Sequence, residues 1–91
     1  MTKTREAARA IIEDNLDTDE SISTDTMAPD GWQFAIRIPT TFTRACNLAE
    51  YLAAEFVDHG LLLRPQPVSM TTHSEGGYIL TFTVCSAEGR H

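Results

Sequence analysis

The chain reads as an α+β protein. We expect a two-layer sandwich of element order αββαββ, with a four-stranded antiparallel sheet in the order 1-2-4-3 and two helices on one face. Three observations predict this. "WQFAIRI" at 32–38 and "YILTFTVC" at 78–85 place large apolar residues at every second position, the period of a strand buried on one side. A glycine-containing turn, "PDG" or "SEG", precedes each. Upstream of each hairpin lies a segment whose apolar residues recur at helical spacing.

The first helix is predicted over 2–16. Ala8, Ile11, Ile12 and Leu16 share a face, and Thr2 or Thr4 is a suitable N-cap. The stripe is narrow, so this helix depends on packing against a partner. The first hairpin joins strands 21–28 and 32–38. Pro29 and Asp30 suit the turn, and Gly31 is expected to supply the positive φ of a bulged three-residue loop. Pairing Ala28 with Trp32 then sets Thr26, Thr24 and Ile22 opposite Phe34, Ile36 and Ile38. In that register Met27, Asp25, Ser23 and Ser21 point away from the helices.

The second helix is predicted over 42–59. Phe42, Ala45, Cys46, Ala49, Leu52, Ala53 and Phe56 follow the i, i+3, i+4 pattern, with Leu48 and Tyr51 on one flank and Gly60 as the stop. "LLL" at 61–63 is expected to tuck under the helix end. The second hairpin joins strands 67–73 and 78–85. Pairing His73 with Gly77 places Val68, Met70 and Thr72 opposite Phe82, Leu80 and Tyr78. The two apolar strands, 32–38 and 78–85, then belong in the middle of the sheet. The acidic first strand and the third, led by Pro65 and Pro67, belong at its edges, where charge and proline discourage pairing with other chains.

Ninety-one residues make a single domain, 1–91. Seven of the thirteen acidic residues lie between 13 and 30, where there is no Lys or Arg; the other six acids face seven bases. The net charge of −6 is therefore local. Net acidity disfavours direct nucleic-acid binding, which needs basic residues to displace counterions. It suits a basic protein surface instead. There is no apolar run of membrane-spanning length and no secretory leader in "MTKTREAARAII", so a cytoplasmic location is expected, with Cys46 and Cys85 as reduced thiols.

Motifs for chemistry fail on inspection. Asp17, Asp19 and Ser21 imitate the start of an EF-hand loop, but Ile22 stands where the loop needs Gly and Ala28 where it needs Glu. His59, His73 and His91 are scattered, and neither cysteine has metal-ligand spacing. No nucleophile motif or phosphate loop is present. A sandwich this small is expected to have little room for a cleft of ~300 Å³, the lower limit for a ligand pocket. The reading is a non-enzymatic protein with no catalytic residue, no metal site and no cofactor.

Two surfaces remain. The free sheet face is expected to show Ser23, Asp25, Met27, Gln33, Ala35, Arg37, Ser69, Thr71, His73, Ile79, Thr81 and Thr83. It could be a homodimer interface anchored by Met27 and Ile79. The acidic segment offers Glu13, Asp14, Asp17, Asp19, Glu20 and Asp25 as a negative patch for partner binding. Closely spaced carboxylates can imitate a phosphate backbone and occupy a nucleic-acid-binding site.

In size, acidity and lack of enzymatic motifs, the chain resembles the small phage-encoded anti-CRISPR proteins. The likeness is carried by the carboxylates of "EDNLDTDESISTD" on a compact α+β domain. These proteins share no motif, so no residue role transfers. The resemblance implies a stoichiometric inhibitor in the host cell cytoplasm that binds a CRISPR effector subunit, often blocking target DNA.

Overall fold

The computed structural model describes residues 2–86. Expectations for His91, and for the side chains of Thr2, Pro65 and Pro67, fall outside what it describes. Two helices and an antiparallel sheet alternate along the chain as α1 (Thr2–Asp14), β1 (Ser21–Ala28), β2 (Gly31–Ile38), α2 (Phe42–Asp58), β3 (Leu61–Thr72) and β4 (Tyr78–Ser86). Strands lie side by side as β1-β2-β4-β3, every neighbouring pair antiparallel.

One core forms between the helices and one sheet face. Ala8, Ile11 and Ile12 of α1 and Ala45, Leu48, Leu52 and Phe56 of α2 close over Phe34, Ile36, Ile38, Leu80, Phe82 and Val84. Phe82 stands at its centre, with ring centroids 6.1 Å from Phe34 and 6.3 Å from Phe56. Truncating any of these rings to Ala removes its burial and leaves a void, a cost of about 3–5 kcal/mol.

Local chemistry explains the element ends. Thr41 caps α2, its side chain accepting from the Arg44 N–H at 3.1 Å. Gly60 ends that helix with φ 74°, a conformation that favours glycine. α1 stops at Asp14, two residues early, because the Asn15 side-chain amide donates to the Ile11 carbonyl at 2.8 Å and closes the last turn. The α2 stripe is rotated from the expected one. Phe42 is 57% exposed, resting edge-on against Tyr78, and Tyr51 also faces outward.

Two strands depart from expectation. β3 starts at Leu61, six residues early, with Leu61 and Leu63 buried and paired against the far end of β4. A uniform leucine run hides the alternation, so periodicity could not mark it as a strand. β3 then breaks register between Arg64 and Ser69, around the two prolines, before pairing again from Ser69 to Thr72.

The larger correction concerns β1. The hairpin turn has two residues, not three: Ala28 pairs with Gly31 and Met27 with Trp32. No residue of this turn has positive φ. Gly31 is required for another reason, since a Cβ there would lie 2.2 Å from the Val84 carbonyl oxygen. Shortening the loop by one residue turns every side chain over. Asp25 and Met27 therefore stand on the helix side, opposite Phe34 and Trp32, while Thr24 and Thr26 take the free face opposite Ala35 and Gln33. A bulge between Ile22 and Thr24 restores the phase, so Ile22 still packs against the core, opposite Ile36.

Candidate functional site

The acidic segment separates into three parts, each with its own environment. Asp25 is the first. Turned inward by the hairpin register, its side chain is only 13% exposed and lies beneath α1. Arg5 grips it twice, Nε to Oδ1 at 3.0 Å and Nη2 to Oδ2 at 2.8 Å. Arg9 Nη1 and the Trp32 indole N–H also donate to it. Arg5 and Arg9, one helical turn apart, thus converge on a single carboxylate, and the Arg5 guanidinium lies 5.7 Å from the centre of the Trp32 ring. Burial works to raise the Asp25 pKa; the bonds from Arg5, Trp32 and Arg9 outweigh it and hold the group below its ordinary value.

Glu20 is the second part. Its side chain is 0% exposed. Arg44, from the first turn of α2, meets it with two parallel bonds of 2.7 Å, and the Asp17 backbone N–H adds a third of 2.8 Å. Arg44 also donates to the Asn15 carbonyl at 2.7 Å, which ties the α1–β1 loop to α2. The Arg44 bonds outweigh burial and pull the Glu20 pKa down, while the same pairing raises that of Arg44.

The third part is the surface that is left. Glu13 is exposed and bonded to Arg9 across one helical turn at 2.9 Å. Asp14, Asp17 and Asp19 are exposed, Asp17 reaching Arg44 only at 3.8 Å. Of the six residues expected to bind a partner, four form an acidic corner at the end of α1. Glu20 and Asp25 are corrected to internal ion pairs, since neither carboxylate can meet a partner while its arginines hold it. The sequence did contain a signal for this. Arg5 and Arg9 flank the apolar stripe of α1, so their stems run over the sheet edge where a β1 carboxylate can meet their head groups.

Among the described residues, no group of three or more His, Cys, Asp or Glu is placed to hold a metal ion. Cys46 and Cys85 are free thiols. His59 Nδ1 lies 3.0 Å from the Glu55 carbonyl, and His73 Nδ1 accepts from the Glu75 N–H at 3.0 Å, so each belongs to local backbone structure. No helix among the described residues is long and apolar enough to cross a membrane. The expectation of little room for a cleft is corrected: one of about 450 Å³ opens at the β1–β2 turn, beside Thr4, Met27, Trp32 and Cys85.

Compared with known proteins, the chain matches no family, no curated protein and no solved structure.

Proposed function

We propose that the protein is a non-enzymatic acidic binding module, a small inhibitor of the anti-CRISPR kind, that docks its negative corner on a basic, nucleic-acid-handling surface of a partner in the host cytoplasm. The supporting observation is how the charges are divided. Arg5, Arg9 and Arg44 are spent on the internal carboxylates Asp25 and Glu20. That leaves Asp14, Asp17 and Asp19 exposed together, with Glu13 half-compensated by Arg9. Carboxylates so placed suit a surface built for phosphates and speed encounter with it.

The docking residues under this reading are Glu13, Asp14, Asp17 and Asp19. Reversing Asp14, Asp17 and Asp19 to Lys leaves Glu20 and Asp25 in place, and because Asp17 also lies 3.8 Å from Arg44, an unchanged far-UV spectrum and denaturation midpoint must accompany the variant. Affinity capture from the source cell, with wild type and the reversed variant at low and high salt, tests it. A basic nucleic-acid-handling protein retained by wild type, released by salt and missed by the variant is the expected result. A partner that holds both forms equally at every salt concentration overturns it. The alternative, a homodimer through the free sheet face, now rests on Ile79 and Leu62, because Met27 stands on the other face. A strict monomer in sedimentation at high micromolar concentration excludes it.

A further inference from the structure

We infer that the cleft at the β1–β2 turn is a second binding site, for a small organic cation with an apolar stem. It goes beyond the docking reading and is spatially separate. The cleft meets α1 at Thr4 and the acidic corner lies at its end, about 15 Å away along the helix at ~1.5 Å per residue.

The cleft holds about 450 Å³, within the range of small-ligand pockets. Its walls include Met27, Pro29 and the Trp32 indole. Met27 is 71% exposed, an unusual share for a large apolar side chain. A flexible, polarizable side chain beside an indole is the lining that adapts to an apolar or cationic guest. Among the described residues, Asp30 is the one charged residue lining the cleft, and no base among them lines it to receive an anion. The nearby Arg5 is already held by Asp25 and lies over the Trp32 ring. A neutral apolar guest would fill the walls but gain nothing from Asp30. A guanidinium or ammonium on a short alkyl stem uses both: the stem lies on Met27, Pro29 and the part of Trp32 that Arg5 leaves open, and the cation pairs with the Asp30 carboxylate, away from Arg5.

The test uses the full chain with n-butylguanidinium and its uncharged counterpart n-butylurea. Trp32, the only tryptophan, reports by its emission. We expect a saturable change with the guanidinium at an affinity on the order of millimolar, as suits so few heavy atoms. The urea should bind about tenfold more weakly, as expected for loss of a charge-assisted bond. Asp30→Asn should reduce the guanidinium to the urea's affinity, and Met27→Ala should weaken both. Both residues are exposed, so an unchanged far-UV spectrum and denaturation midpoint will show that the variants fold. Asp17→Lys with Asp19→Lys should leave the response intact, separating this site from the acidic corner. The inference is overturned by no saturable change, by equal binding of the urea, by persistence in Asp30→Asn, or by loss in the corner variant.

Discussion

Arg44→Ala is the most informative perturbation of the fold. It removes two 2.7 Å bonds to Glu20 and one to the Asn15 carbonyl. The Glu20 carboxylate, 0% exposed beneath Arg44 in the wild type, is left with the Asp17 N–H and whatever water enters the space Arg44 vacates. Orphaning a buried charge costs about 3–5 kcal/mol, against less than ~1 kcal/mol for breaking a surface ion pair. Arg44 is itself 29% exposed, so the lower figure applies, about 3 kcal/mol. In a domain of this size that lowers the midpoint of thermal unfolding by roughly 15 °C. Urea denaturation followed by Trp32 emission measures it. Adding Glu20→Leu to Arg44→Met should recover most of the loss, because an apolar pair needs no counter-charge. A cost under about 1 kcal/mol for Arg44→Ala would refute the argument, since it would mean that Glu20 finds water or another partner when released.

Three further outcomes follow from the same structure. Folding holds the pKa values of Glu20 and Asp25 down, so their contribution to stability is full above about pH 5 and is lost as pH falls through the depressed folded values. Denaturation midpoints across pH 2–7 should show that loss in wild type and a reduced one in Asp25→Asn with Glu20→Gln. Asp25→Asn alone should cost about 1–2 kcal/mol, less than Arg44→Ala, because Arg5 and Arg9 can turn their charges to water; a shift in Trp32 emission should accompany it. Gly31→Ala should cost about 1–3 kcal/mol although the φ there is ordinary, because the added methyl meets the Val84 carbonyl; equilibrium denaturation shows it, and a neutral effect would mean that β4 gives way freely.

What the sequence made legible was whatever repeats. Alternation in 32–38 and 78–84 marked two strands and their inward faces, because a side-chain period of two survives any loop. The second hairpin could be registered from His73 and Gly77, and the His73 N–H does donate to the Gly77 carbonyl. The first hairpin could not. "APDGW" accommodates a two-residue or a three-residue loop, and nothing in the local sequence distinguishes them; the close approach of β4 that makes Gly31 necessary is likewise invisible there. That single residue of register decided whether Asp25 was a surface charge or an internal one. Likewise the acidic segment looked uniform because its neutralising arginines are distant in sequence, Arg5 twenty residues before Asp25 and Arg44 twenty-four after Glu20.

The αββ plan occurs twice, yet the halves are not cassettes that could be copied or exchanged. β2 from the first half is zipped to β4 from the second from Trp32 to Ile38. Glu20 in the first half takes its counter-charge from Arg44 in the second. A tandem duplicate of the first half would carry an orphaned carboxylate and a bare inner strand in each copy. Split in the β2–α2 loop, the two fragments should each fail to fold alone and recover the native spectrum when mixed.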